Sequence, residues 1–291
     1  MILQRDRKYN LIITQSAGAK VEINNLHIEF DVTKYADNKK KPNKARISIY
    51  NLPAEYQRYV EVPFVECALE VGYLTTGVQQ LFSGQVTIAG TRKQGADIVT
   101  TLELDSLFTQ INHKIVSKTV APGRSVQEVI MAVAASVPEV KKSVFSGDSI
   151  KNKVIDGYPM MGTPKQILTE LAYAYNFEWQ IDGQTLYIND IGGSFTQNKR
   201  DVVLISETTG LIERPYYDNI ERARGKGDKR KKARRGVELS ILLNPAVTAG
   251  STIKIDYGDF SGYYKVEAIT SSGSFYGNEW TSKLKCSTIK I

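Results

Sequence analysis

A series of short alternating segments in the last third of the chain constrains its fold more than any other feature. From Val237 to Leu243 every second residue is apolar, which is typical of a strand with one buried face. Asn244-Pro245 ends this strand, because proline has no backbone N–H to donate to a sheet. The same alternation returns in three later runs, at 253–255, 264–270 and 280–286. Four short strands about twelve residues apart favour an antiparallel sandwich or barrel.

The first hundred residues have the same character as this segment. Alternating apolar runs follow one another there, with one short predicted helix that begins near Asn51-Leu52-Pro53. The middle of the chain differs, since Ser125 and Thr163 each open a helical pattern with the spacing of a capping box. Asp182-Gly183 then indicates a tight hairpin. We predict a mainly β protein with a smaller α/β part, divided into residues 1–112, 113–198 and 199–291.

Composition is that of an ordinary globular protein, with 291 residues and 42% hydrophobic content. No apolar run approaches the ~20 residues of a membrane helix. The first residues lack the apolar core of a signal peptide, so we expect no membrane span and folding in a cytoplasm. Cys67 and Cys286 lie within alternating runs. We therefore expect them to be buried free thiols in a reducing compartment.

The charge of the chain is concentrated in one predicted loop at residues 221–236. This loop holds nine basic residues and two acidic ones, a surplus of +7 that equals the net charge of the whole chain. One interpretation is a solvated loop that repels itself. The other is a contact for a polyanion or an acidic protein face, although no aromatic residues are interleaved for base stacking. The predicted contact residues are Arg222, Arg224, Lys226, Lys229, Arg230, Lys231, Lys232, Arg234 and Arg235.

The sequence contains no recognisable catalytic or metal-binding pattern. Neither His27 nor His113 has cysteine or histidine neighbours at the spacing of metal ligands. No G-x-S-x-G elbow, phosphate-binding P-loop or dinucleotide glycine motif is present. The nearby carboxylates of Asp256, Asp259 and Glu267 are expected to be solvated rather than paired for acid–base work. We predict no enzymatic activity, no catalytic residue, no metal and no cofactor.

A set of ordered motifs adds a resemblance to this interpretation. The motifs are Ile47–Leu52, Phe82–Val86, Gly210-Leu211-Ile212 with Pro215, Leu242–Pro245, Gly262–Val266 and Gly277–Trp280. In this order they resemble the central baseplate hub proteins of contractile tailed phages. Type VI secretion spike proteins and pyocin hubs are related to that family.

The resemblance implies two tail-tube-like antiparallel β barrel or sandwich domains, at 1–112 and 199–291, with an inserted α/β domain at 113–198. It implies a homotrimer in the virion baseplate, assembled in the host cytoplasm, whose six tube-like units adapt the six-fold tail tube to the three-fold spike. Partners would be the tail tube protein or tube initiator above, the spike protein below and the surrounding baseplate proteins. The tape-measure protein or DNA would pass through the lumen.

Two alternative functions stay open at this point. A nucleic-acid or polyanion-binding module would use the basic residues within 222–235 and would bind in a salt-dependent way. A tail-associated cell-wall hydrolase would need a carboxylate or His/Cys constellation, which the sequence does not reveal.

Overall fold

The computed structural model describes residues 6–15, 18–39, 41–62, 65–106, 108–151, 156–196, 201–219 and 235–289. We call the part up to residue 106 the N-terminal half. Its elements are β1 (Arg7–Thr14), β2 (Lys20–Ile23), β3 (Ile28–Tyr35), β4 (Lys44–Tyr50), α1 (Ala54–Val60), β5 (Glu66–Tyr73), β6 (Gly77–Gln94) and β7 (Asp97–Asp105).

The rest of the chain forms a middle region, residues 108–196, and a C-terminal half, residues 201–289. The middle region contains α2 (Phe108–Asn112), β8 (Val116–Val120), α3 (Val126–Ala135), β9 (Lys142–Ser146), β10 (Tyr158–Gly162), α4 (Pro164–Tyr175), β11 (Phe177–Asp182) and β12 (Thr185–Asp190). The C-terminal half contains β13 (Val203–Ile205), β14 (Tyr216–Asn219), β15 (Arg235–Leu242), β16 (Thr252–Ile255), β17 (Gly262–Ser274) and β18 (Trp280–Thr288).

The two halves share one 13-stranded sheet. Its main path runs β14-β15-β18-β17-β3-β4-β7-β6-β5-β1-β2, and β16 and β13 continue from another part of β17. The halves meet where β17 pairs with β3 in antiparallel register, from Ala268 opposite Tyr35 to Ser274 opposite Glu29. Within the described residues the strand pairing runs from one open edge to another and does not close. The barrel or sandwich geometry therefore stays a prediction.

The strand order of the two halves is the same. In the N-terminal half the order is β3-β4-β7-β6-β5, and in the C-terminal half it is β14-β15-β18-β17-β16, with the same sequence of strands along the chain. Each half also has a register shift at the same place. The shift lies between Val86 and Ile88 where β6 pairs with β7, and between Val266 and Ala268 where β17 pairs with β18. The protein thus contains a structural repeat that no period in its sequence reveals.

Buried apolar side chains form three clusters. One fills the N-terminal half and includes Leu243 and Trp280 from the C-terminal half. A second belongs to the middle region, and a third fills the C-terminal half. Because Trp280 lies in the first cluster, the two halves are joined by apolar packing as well as by strand pairing. The middle region has its own core, but the division at 1–112, 113–198 and 199–291 remains a proposal.

The capping and turn residues predicted in the middle region occupy the structural positions that the sequence predicts. Ser125 and Thr163 are N-cap residues with complete capping boxes, at the starts of α3 and α4. Asn176 ends α4 in the left-handed conformation, with φ 58° and ψ 49°. Gly183, with φ 58°, turns the chain between β11 and β12. None of the helices in the described ranges has the length and apolar character that a bilayer crossing requires.

Most predicted strands are confirmed, and the mainly β class with them. The four runs predicted from Val237 onwards correspond to β15, β16, β17 and β18. The short helix begins at Ala54, with Pro53 as its N-cap, so proline lies just before the first turn instead of within it. The strand β6 is 18 residues long, and its last five residues, Gly90 to Gln94, are exposed on both faces.

Candidate assembly surfaces

The junction between β17 and β3 joins the two halves by strand pairing. Phe30 meets Trp280 edge to face, with ring centroids 5.3 Å apart. Gly273 makes this approach possible, because a Cβ there would lie 2.3 Å from the Phe30 ring. On the opposite face, the Ser272 hydroxyl donates to Asp31 at 2.6 Å. The junction therefore combines a backbone ladder, an apolar side and a polar side.

A clamp from the first strand holds the hairpin next to this junction. The Arg7 guanidinium donates to the carbonyl oxygens of Ser274, Gly277 and Asn278, at 2.5–2.9 Å. Its carbon also lies 5.4 Å from the Trp280 ring centroid, within the range of a cation–π contact. The turn between β17 and β18 is thus attached to the N-terminal half by charged, directional contacts.

Several strand edges in the described part of the sheet carry no neighbouring strand, those of β2 and β13 among them, and two others are accompanied by large exposed side chains. One is the outer edge of β14, which pairs only with β15. The other is the second part of β6: β5 leaves it at Gln85, and residues beyond Ile88 pair only with β7. An unpaired strand edge is a template for pairing with another chain. Neither edge was identified from the sequence, because edge position depends on pairings between distant segments.

Large exposed side chains accompany these edges. Tyr216 and Tyr217 on β14 are 55% and 42% exposed, and Ile88 on β6 is 59% exposed. The hydroxyl of Tyr216 donates to the Glu238 carboxylate, which raises the pKa of the tyrosine. Tyr217 packs against Phe260 with centroids 4.5 Å apart. Apolar bodies with polar tips are typical of side chains at protein interfaces.

The middle region is attached to both halves through the edge strand β11. The backbone N–H of Ile181 donates to Asn38, and its carbonyl accepts from Asn43, at 2.9 and 2.8 Å. Gln180 donates to the carbonyl of Ala249, from the C-terminal half, at 2.8 Å. Trp179 accepts from the backbone of Asn38 at 2.8 Å. These contacts use the edge of β11 that its own three-stranded sheet leaves open.

Two buried lysines complete this attachment. Lys34 on β3 donates to both oxygens of Asp182, at 2.8 and 2.9 Å. Lys265 on β17 has a fully buried side chain and pairs with Glu178 and Glu267. Buried ion pairs require precise partners because each unpaired ion would be costly. Lys34 carries a visible signal in the sequence, since it occupies the apolar parity of β3 after Ile28, Phe30 and Val32.

The residues predicted to contact a polyanion lie almost wholly outside the described residues. Among the nine, Arg235 alone lies within the described residues, as the first residue of β15. The remaining eight are Arg222, Arg224, Lys226, Lys229, Arg230, Lys231, Lys232 and Arg234. The structure therefore does not test the role of these nine side chains, which stays a prediction.

Other predicted features have structural positions that can be described. Cys67 and Cys286 are free and buried, as expected, and burial raises the pKa of Cys67 to about 12. His27 stacks against Tyr276 with centroids 5.6 Å apart. Glu267 accepts from Ser287 and pairs with Lys265, so it is a structural group. In the part of the chain that is described, no group of three or more His, Cys, Asp or Glu residues is arranged to hold a metal ion.

Solved structures share this fold across nearly the whole chain. A tail protein from Neisseria meningitidis MC58 aligns with a TM-score of 0.65 at 12% identity, covering 96% of each chain. The 43 kDa tail protein of prophage MuSo2 from Shewanella oneidensis aligns with a TM-score of 0.64 at 9% identity, covering 97% of this chain and 98% of that one. The E. coli c3393 protein, a type VI secretion component, gives 0.62 at 8% identity, covering 91% and 74%.

These alignments define a tail-protein fold. No curated protein matches the sequence. The family model of the baseplate hub gp41, however, matches residues 10–257, which is most of the chain. The chain therefore belongs to the baseplate hub gp41 family, a family of structural phage tail proteins, and the resemblance inferred from the motifs is confirmed at this level.

Proposed function

We propose that this chain is the structural hub subunit of a contractile-tail baseplate, and that three copies form a ring of six repeated β units. The repeated strand order in its two halves is the observation that carries this proposal. A chain with two copies of one unit presents six such units in a trimer. Such a ring matches a six-fold tail tube on one side and a three-fold spike on the other.

The contacts within the chain suit a mechanical role. The halves are joined by a strand ladder, the Arg7 clamp and a shared apolar cluster. The middle region is held to both halves by the buried lysines Lys34 and Lys265. This construction supports a rigid subunit whose middle region projects toward spike or surrounding baseplate proteins. Assembly in the host cytoplasm, into the tail baseplate of the virion, follows from the same proposal.

One face of the shared sheet supports a solvated central channel. Its outward residues on β3 and β4 are polar, among them Glu29, Asp31 and Arg46. On β18 the same face carries Lys283 and Lys285. Both signs of charge are present on this face. We propose that this surface lines the lumen, where DNA or the tape-measure protein would pass.

The mass of the protein in solution tests the proposal. Light scattering after size exclusion, across a range of concentrations, should give three times the 32.5 kDa chain mass, and in a mixture with recombinant spike protein the mass of the bound spike chains should add to this value. A chain that remains monomeric in every mixture with tube and spike proteins would contradict it.

Deletion of residues 222–235 is the matched control. The hub proposal expects the shortened chain to form the same trimer, with loss only of any salt-dependent affinity for polyanions. If the shortened chain does not form the trimer, the charged segment drives assembly instead of the repeated sheet.

A further inference from the structure

We propose that the ring closes by pairing β6 of one copy with β14 of the next, antiparallel, in the register that β17 uses on β3 within one chain. This places Thr91 opposite Tyr217 of the neighbouring copy. The inference rests on the proposed function, since it names the partner, a second copy of this chain, and the residues that meet.

The first step aligns β6 with β17. Gln85 pairs with Asp105 where Lys265 pairs with Ser287. Both strands then shift register by one residue, after Val86 and after Val266. Counting onward from the shift, Ile88 corresponds to Ala268 and Thr91 corresponds to Ser271.

The second step aligns β14 with β3 through their partners. Lys44 on β4 pairs with Asp105, and Gly236 on β15 pairs with Ser287. Lys44 therefore corresponds to Gly236. Across the next ladder, Ala45 pairs with Val32 and Val237 pairs with Tyr217. Tyr217 thus occupies the position of Val32.

The third step compares what covers these positions. Within the chain, Ser271 pairs with Val32, and the two residues are 2% and 1% exposed. Their counterparts are both exposed: Thr91 on β6, and Tyr217 at 42%. The repeat therefore contains this pair of strand edges twice. The edges of β17 and β3 are joined within the chain, whereas the corresponding edges of β6 and β14 have no described strand beside them.

The order in which other strands pair along β17 shows that the open edge of β6 corresponds to the edge of β17 that pairs with β3. β17 pairs first with β16, up to Lys265 opposite Thr252, and then with β3 from Ala268 onward. β6 pairs first with β5, up to Gln85 opposite Glu66. Beyond the register shift it has no described neighbour on that side. A second copy of β14 fits this vacant length, because β14 is the counterpart of β3.

Side chains at the proposed contact suit this pairing. Gly90 and Thr91 are small, as are Thr270 and Ser271 in the internal junction. Arg92 takes the place of Ser272 and would face Tyr216, the counterpart of Asp31. Tyr216 already donates to Glu238, which also pairs with Lys285, so the guanidinium would meet a phenol and a carboxylate that it shares with an ammonium group.

Disulfide cross-linking tests the register. The double variant Thr91→Cys/Tyr217→Cys should yield a covalent trimer on a non-reducing gel, because opposite residues in an antiparallel pair lie about 4.5–5.5 Å apart at Cα, within disulfide range. Each single variant should run as a monomer. Both substituted side chains are exposed in the single chain, so folding should be preserved, and the native thiols are buried.

The pair Thr91→Cys/Glu22→Cys is the matched control, since Glu22 is an exposed residue on β2, the other end of the main sheet path. A trimer by mass in which only this control pair cross-links, or in which neither pair does, overturns the register while leaving the hub function standing. Covalent species larger than a trimer overturn ring closure. A wild-type chain that never trimerises refutes the proposed function itself.

Discussion

Single charged residues hold the middle region in place. Lys265 pairs with Glu178 and Glu267, and no part of its side chain is exposed. Desolvation of such an ion is costly, and the ion is tolerated because its partners lie at contact distance. The attachment of the middle region is therefore specific, because any other packing arrangement would leave a buried charge unpaired.

Substitution of Lys265 by methionine should lower the free energy of unfolding by about 3–5 kcal/mol, because it leaves the Glu178 carboxylate buried without its cation. The double variant Lys265→Met/Glu178→Met should lose less than the single variant Lys265→Met, since neither member of the Lys265–Glu178 pair remains charged. Urea unfolding of the wild type, both single variants and the double variant measures the coupling. A double variant as unstable as the sum of the two single variants would show that the pair is not coupled.

At the level of elements, the helices of the middle region follow from local sequence. In α4, Thr163 accepts from the backbone of Gln166, whose side chain accepts from the backbone of Thr163. Pro164 occupies the first turn, and Asn176 ends the helix. Every one of these signals lies within four residues of the feature that it determines, which is why the sequence alone predicted them.

Thr163→Ala should destabilise the middle region by about 1 kcal/mol, while Thr163→Ser should be nearly neutral because serine keeps the capping oxygen. Trp179 belongs to the core of this region and Trp280 to another, so a Trp280→Phe background isolates the signal. Fluorescence-monitored urea unfolding of both variants in that background gives the comparison. Equal losses for alanine and serine would exclude the hydroxyl cap as the cause.

Elements defined by distant partners were not predictable in this way. The second part of β6 has no alternation of apolar residues, so its length follows only from pairing with β7. β9 pairs in parallel with β12, and β8 pairs with β10, across separations that no local pattern encodes. The basic segment at 221–236 was the strongest sequence signal for function, yet the proposed assembly surfaces lie on strands with ordinary composition.

At the scale of the whole molecule, the strand pairing between β17 and β3 joins the repeated halves into one sheet. Phe30 and Trp280 enclose Gly273, and the strand ladder continues through it from one half to the other. The equivalent position in the N-terminal half is Lys93, on the open edge of β6. The sequence could not reveal this relationship, because the paired residues share neither identity nor proximity.

Gly273→Ala should reduce the stability of both halves together by about 1–3 kcal/mol, because the added methyl group would overlap the Phe30 ring. Gly90→Ala is the matched control on β6, where a Cβ meets open space, and it should be neutral or slightly stabilising. Thermal unfolding of dilute protein, followed by circular dichroism, compares the two. Similar midpoints for both variants would contradict the tight packing of the junction.

The order of strands along the chain has a consequence for biosynthesis. Thr33 and Thr270 face each other in the junction although 237 positions separate them. At a ribosomal rate of about 5–20 residues per second, roughly 10–50 seconds pass between the synthesis of β3 and the synthesis of β17, which covers its edge. During that interval its apolar side is accessible to chaperones and to other nascent copies. Codon usage in the segment between β3 and β17 should therefore affect the yield of folded protein, and so should the supply of chaperones during that interval.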